Sequence, residues 1–425
     1  MSLFDHPLFK TIRELKGNSR YSVLTEPMFG IPFNLFNPYR SVFMLALGMN
    51  DAQIGTLISL GAIIEIFAAF ISGAIVDKYG RRFTLFIADL LCWVVPTIIW
   101  AFAQDIKYFV IAIIFNSTWR LSHTAWTCLT VEDAEERHIV HIWTWISIFI
   151  MATAFFAPIG GWFVAKYGTV TAVRGFYLFG FFMLLAKVLI LYFKSTETAR
   201  GVIRMEETKN TSIFTLLGEY KGVFKQVLES KQIHAGLALL AVTNIFQTVN
   251  GSFWSVLFTS KLGFTNSEIA IYATLRSVVM TTAFFVLGPR FSNPRKFKKP
   301  LWLGYGLLFG SQLLLVLMPA HHVWLVVLSV IFEAFGAALI NPMSESIMAL
   351  SLESKDRARV SALVYTALIF IISPFGWIAG QLSTIDRALP FTLNMALFAI
   401  GAVLVWIISR PGFIPTPPKP AEVSA

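Results

Sequence analysis

Charge is what this sequence has least of. Only 14 % of its 425 residues are Asp, Glu, Lys or Arg, against about 25 % in soluble domains. Hydrophobic residues make up 56 %, and the mean hydropathy is +0.68. A water-soluble fold of this length has too little interior to hide so much apolar surface. Cysteine is scarce as well: Cys92 and Cys128 are the only two. They suit neither a disulfide framework nor a metal spacing, and they read as small apolar residues. The seven histidines are scattered, so the Ser/His/Asp or metal-binding clusters of a membrane-embedded lipid-modifying enzyme are missing. The first twenty residues carry Lys10, Arg13, Lys16 and Arg20 but no apolar core, so no cleavable leader is read there. The short alternating segments of a membrane β-barrel are also absent.

What is present is a series of apolar runs, each long enough to cross a hydrocarbon layer of about 30 Å as a helix. Twelve are read, at 24–47, 52–76, 83–103, 107–130, 141–164, 172–193, 234–258, 266–288, 300–318, 323–348, 358–382 and 388–409. The expected fold is an all-α membrane protein of twelve transmembrane helices. The net charge of +10 could point to nucleic acid, but its placement points to topology. Lys78, Arg81 and Arg82 follow the second run, Arg290, Arg295, Lys296, Lys298 and Lys299 the eighth, and Lys355, Arg357 and Arg359 the tenth. Odd-numbered loops hold isolated cations such as Lys107, Lys166, Lys261 and Arg387. The positive-inside rule then puts the even loops and both termini in the cytoplasm, with the chain multi-pass in the cytoplasmic membrane.

A polar stretch from Ser195 to about Lys231 divides six runs from six. The expected boundaries are a cytoplasmic N-terminal segment (1–21), an N-terminal six-helix bundle (22–194), a cytoplasmic linker (195–231) with an amphipathic helix near Phe214–Val227, a C-terminal six-helix bundle (232–410) and a cytoplasmic tail (411–425). The halves resemble each other. Leu47-Gly48 and Leu262-Gly263 follow the first and seventh runs, Arg137 and Val140 match Arg357 and Val360, and Pro158-Ile159-Gly160 matches Pro374-Phe375-Gly376, all at nearly the same spacing. Duplicated six-helix units are a plan of secondary transporters, with the binding site between the halves.

The most specific motif is Gly73-Ala-Ile-Val-Asp77-Lys-Tyr-Gly80-Arg81-Arg82, between the second and third runs. It resembles the signature loop of the major facilitator superfamily, G-x-x-x-D-[RK]-x-G-R-[RK]. Gly73 permits close helix contact in lipid and Gly80 a tight reversal. The resemblance implies a conformational latch in which Asp77 meets the start of the eleventh helix, near Ala358, where the helix dipole is positive. Arg81 is placed to pair with Glu132 or Asp133. The matching loop after the eighth run keeps Gly288 but has Ser292 and Asn293 where a carboxylate is expected. In the fifth run, Pro158, Gly160 and Gly161 are similar to the later part of the family's fifth-helix proline-glycine motif, best known in exporters. Two readings stand: a hinge that biases direction, and plain helix packing.

Polar residues at lipid depth must face protein or water. Asn116, Arg120, His123, Thr124 and Thr127 share one face of the fourth run, and Arg120 resembles the buried arginine common in the family's fourth helix. Asn34, Asn37 and Arg40 in the first run, Gln247 and Asn250 in the seventh, and Asn341 in the tenth complete the polar set for a shared cavity. Trp119, Trp126 and Trp254 are candidate contacts for an organic solute. Desolvation favours a neutral carboxyl group, so Glu65 and Glu333, then Asp89, are the candidates for proton coupling; a static ion pair with Arg40, Arg120 or Arg276 is the alternative for each. Lys187 is expected to snorkel to the cytoplasmic face. The resulting expectation is a secondary transporter of a small organic solute working by alternating access, as a monomer among membrane lipids, with protons as coupling partners and no cofactor, metal or nucleic acid. Proton-coupled export is favoured by the fifth-helix motif, and proton-coupled uptake is the alternative. A non-transporting receptor is disfavoured by the short loops.

Overall fold

The computed structural model describes residues 13–218, 227–287, 297–350 and 357–410. The first half holds α1 (Gly17–Leu24), α2 (Glu26–Phe36), a 3₁₀ turn (Asn37–Tyr39), α3 (Arg40–Ala46), α4 (Asp51–Tyr79), α5 (Arg81–Asp89), a π-helical segment (Leu90–Val94), α6 (Val95–Ala101), α7 (Ile106–Asn116), α8 (Trp119–Val131), α9 (Glu136–Thr153), a second 3₁₀ turn (Ala154–Phe156), α10 (Ala157–Tyr167) and α11 (Thr169–Lys194). Two short helices follow, α12 (Ala199–Thr208) and α13 (Ile213–Gly218). The second half holds α14 (Lys231–Ser260), a 3₁₀ turn (Asn266–Glu268), α15 (Ile269–Leu287), α16 (Lys298–Leu317), α17 (Val323–Leu350), α18 (Arg357–Ile385) and α19 (Leu389–Ile408).

Each of the twelve apolar runs is therefore helical over its described residues, some as one rod and some in pieces. Among the described residues, eight helical segments are long and apolar enough to cross a membrane by length and composition. The first run is broken at Asn37–Tyr39 and the fourth at Ser117-Thr118. The seventh, α14, is continuous but diluted by Thr243, Asn244, Gln247, Thr248 and Asn250.

Proline sets most of the breaks, because it has no N–H for the carbonyl four residues back. Lipid supplies no substitute, so a freed carbonyl needs a donor from protein. Pro96 frees Cys92, and the Asn116 amide donates to the Cys92 carbonyl at 2.8 Å, from α7 across to the third run. Pro374 frees Phe370, and Ser373 Oγ donates to that carbonyl at 2.9 Å. Reversals use glycine at positive φ: Gly80 (83°) ends α4 and Gly168 (78°) ends α10. The entry to α4 is fixed by a reciprocal cap, Asn50 with Gln53.

The halves meet along α4 with α18, α10 with α15, and α3 with α14. Lipid removes the hydrophobic drive for helices to associate, so close van der Waals approach does the holding. A Cβ on Gly55 would lie 2.5 Å from the Gly376 carbonyl oxygen, and one on Gly380 would lie 2.8 Å from the Gly55 Cα. Here backbone touches backbone. One buried apolar core takes side chains from both halves, among them Phe43, Tyr177, Phe253 and Phe398.

Two expectations fall wholly or partly outside the described residues: the linker helix beyond Gly218, and the loop with Gly288, Ser292 and Asn293. The linker instead shows α12, which sequence reasoning did not anticipate.

Candidate functional site

The break in the first run sends its polar residues two ways. Arg40 and Ser41 line a cavity of about 310 Å³, while Asn34, Asn37 and Pro38 line another of about 280 Å³. α14 divides in the same manner. Asn244 and Thr248 face the larger cavity, Asn250 and Trp254 the smaller. The larger is completed by Glu65, Trp100, Asn116, Trp119, Arg120 and Ser373, the smaller by Tyr272, Arg276 and Glu333. The single chamber expected from the sequence is thus two cavities, because the first run and α14 pack together between them. His123, Gln247 and Asn341 line neither. His123 stands edge-on to Trp119 with ring centroids 5.9 Å apart, and both His123 and Gln247 are exposed.

Each cavity holds one ion pair. In the larger, Arg120 Nε of α8 meets Glu65 Oε1 of α4 at 2.7 Å, and the guanidinium lies 4.1 Å from the Trp119 ring centroid. In the smaller, Arg276 Nε of α15 meets Glu333 Oε1 of α17 at 2.7 Å, and the Asn250 amide donates to the same oxygen at 3.1 Å. The second and eighth runs correspond under the internal repeat, as do the fourth and tenth. The pairs therefore sit on equivalent helices with their charges exchanged: acid then base in the first half, base then acid in the second. Glu333 is 1 % exposed while Arg276 is 40 % exposed, so the smaller cavity presents mainly its cation.

The third carboxylate lies elsewhere. Asp89 is buried, accepts a hydrogen bond from Ser122 and lines neither cavity. Lys187 does not snorkel. It is 7 % exposed and bonds Glu26 Oε2 at 3.3 Å, because the buried Glu26 of α2 neutralises it within the bundle. Asn34 spends its amide on Gly30 and Thr153, and Asn116 on the Cys92 carbonyl.

The motif loop after α4 is occupied by the linker. Arg81 forms a two-pronged pair with Glu132 at 2.9–3.0 Å, while Asp133 accepts from the Ala199 N–H at 3.1 Å. Asp77 meets Arg204 of α12, Nη2 to Oδ2 at 2.9 Å, and Arg81 at 3.1 Å; the side chains near Ala358, where the eleventh helix was expected to meet it, lie outside the described residues. Hydrogen bonds to Asp77 and Glu207 push the Arg204 guanidinium further up from its ordinary value. A carboxylate does sit at a helix start here, but it is Glu197, accepting the Arg81 and Arg82 N–H groups at 2.9 and 3.0 Å. Arg82 donates to the Tyr192 carbonyl at 2.9 Å. Glu197 also explains Gly80, where a Cβ would come within 2.5 Å of its Oε2.

At the opposite end the halves are bonded to each other. Asp51 accepts from Ser383 at 2.7 Å and from Arg387 at 3.2 Å, beside a pair within the second half, Lys261 with Asp386 at 2.6 Å. Asn266 donates to Thr169 at 2.7 Å, and the Trp377 N–H to Ser59 at 2.7 Å. The helix-five motif joins this seal. Pro158 opens α10, Gly160 lies against Leu35, and a Cβ on Gly161 would meet the Ser267 carbonyl at 2.6 Å. Most of these contacts lie at the odd-numbered loops or in the helix ends next to them, and Ser59 meets Trp377 about two turns deeper.

A sequence profile described as Major Facilitator Superfamily matches residues 28–320. The chain belongs to the major facilitator superfamily. It is accordingly a multi-pass membrane protein and a secondary transporter of small solutes rather than an enzyme. Among curated proteins it is 22 % identical over 394 residues to Multidrug resistance protein 1 of Bacillus subtilis (strain 168), covering 92 % of this chain and 96 % of that protein. Among solved structures, the nucleoside transporter NupG aligns at a TM-score of 0.68 and 16 % identity, covering 92 % of this chain and 98 % of the other. An inward-open form of the xylose transporter XylE from E. coli aligns at 0.67 and 15 %, covering 94 % and 97 %. These structures share the two-bundle helical fold.

Ser41, Asn244 and Thr248 belong to the polar runs of the first and seventh spans from which a cavity was expected, and all three line the larger one. The sequence missed Trp100 of the larger cavity and Tyr272 of the smaller. It also missed Glu26, Glu197 and Arg204.

Proposed function

We propose that this chain exports a small organic solute across the cytoplasmic membrane by alternating access, driven by protons exchanged at Glu65 and Glu333. The observation that carries the reading is the pair of charge-exchanged Arg–Glu contacts, one in each half, both facing cavities between helices. When the carboxylate of such a pair takes a proton, its hold on the arginine loosens. With the odd loops outside, as the Lys and Arg distribution predicts, the bonded end is the outer gate. Asp77, Arg81 and the loop around them then belong to the gate on the cytoplasmic side. Export draws support from the likeness to Multidrug resistance protein 1 and from the proline-glycine motif.

One feature favours the uptake reading instead. Arg120 is held by Glu65 through Nε alone. A solute that takes its remaining nitrogens competes with Glu65 and favours the protonated carboxyl group, which couples solute and proton in the same direction.

The test is proton movement in vesicles of known orientation, read with a pH-sensitive dye as neutral, cationic and anionic aromatic solutes are added. The expected result is solute-dependent proton flux in the native protein and its loss in Glu65→Gln and Glu333→Gln. Unchanged flux in both variants would remove them as proton carriers.

A further inference from the structure

Arg40 is the cation that the ion-pair scheme leaves over. It begins α3 in the middle of the first run, is half-buried, and lines the larger cavity. Among the described residues it has neither an ion-pair nor a hydrogen-bond partner; the phenol of Tyr177 is an electrostatic neighbour, and its buried hydroxyl is itself without a partner. Arginine does not shed its proton to escape such a site, and a membrane-depth guanidinium requires an answering charge. The same cavity holds Arg120, whose terminal nitrogens have no acceptor among the described residues, and only one carboxylate, Glu65. The cavity therefore carries two guanidinium groups against one carboxylate, bounded by the indoles of Trp100 and Trp119.

We infer that the larger cavity is an oxyanion site: Arg40, assisted by the free nitrogens of Arg120, takes the carboxylate, sulfonate or phosphate of an organic anion whose apolar body lies against the two tryptophans. Guanidinium groups match planar or tetrahedral oxyanions through paired hydrogen bonds, and indole faces suit an aromatic ring. This rests on the transport reading for its biological sense, holds for either direction of transport, and can be measured as binding alone.

The experiment is a thermal-shift titration of the purified full chain with a thiol-reactive dye, which reports unfolding through the buried Cys92. The probes are benzoate, benzenesulfonate and phenyl phosphate, with benzyl alcohol as neutral and benzylamine as cationic controls. The expected result is saturable stabilisation by at least one anion and none by the controls. Arg40→Gln should weaken that anion about 10- to 100-fold, Arg40→Lys less, and Lys166→Gln, which removes a charge outside the cavity beside Trp162, not at all. Equal stabilisation by the neutral or cationic probe, absence of any anion effect, or full retention in Arg40→Gln would overturn the inference. Arg40→Lys guards against a folding defect, since it keeps charge and stem. Solute-dependent flux without anion binding would sink the oxyanion site and leave the transport reading standing; anion binding without any flux would do the reverse.

Discussion

Asn116 occupies a polar position at lipid depth, yet its amide serves the backbone. Pro96 removes the donor for the Cys92 carbonyl, and Asn116 supplies one from the neighbouring run. Asn116→Leu is expected to destabilise the protein by about 1 kcal/mol, measured by equilibrium unfolding in mixed micelles. Adding Pro96→Ala should recover most of that loss, because an alanine at this position brings back the helical N–H. A double variant no more stable than Asn116→Leu would show that the bond is incidental. Depth and polarity in the sequence marked Asn116 as needing a partner; they did not reveal that the need arises from a proline twenty residues earlier. The same limit applied to the carboxylates. Three arginines were open to Glu65 and Glu333, and only packing assigns Arg120 to one and Arg276 to the other. Lys187 was misplaced because Glu26, at the edge of the first run, gave no sign of turning inward.

α12 is the element that sequence periodicity did not disclose. It is short and charged, and its footing is the motif loop rather than a core. The loop itself was legible, since Asp77, Gly80, Arg81 and Arg82 stand at fixed spacing. What occupies Asp77 was not, because a carboxylate on a bistable loop has more than one partner over the transport cycle. In this state Arg204 holds it, together with Arg81. Arg204→Gln should loosen α12 and speed tryptic cleavage at Lys209. Asp77→Asn should do the same, and the double variant should be no worse than either, as two ends of one contact are not additive. Additive acceleration would mean that the residues act separately.

For the molecule as a whole, the all-helical plan and the division into halves were readable from apolar runs and from matched segments such as Pro158-Ile159-Gly160 and Pro374-Phe375-Gly376. The state of the gates was not, since one sequence must support both. The bonded end yields the test. Thr169 and Asn266 face each other across the halves at hydrogen-bond distance. A Thr169→Cys, Asn266→Cys protein should form a disulfide under mild oxidation, stop transport, and regain it on reduction. Undiminished transport in the fully cross-linked protein would exclude this seal as a moving gate. The exchanged Arg–Glu contacts have an electrical side too. Each is neutral as a unit, so carrying them through the field as the bundles rock shifts no net charge, where one unpaired charge crossing 100 mV would be worth about 2.3 kcal/mol. At these positions the unprotonated pairs add almost no voltage dependence, and whatever current the carrier draws reports the charge of bound protons and cargo together.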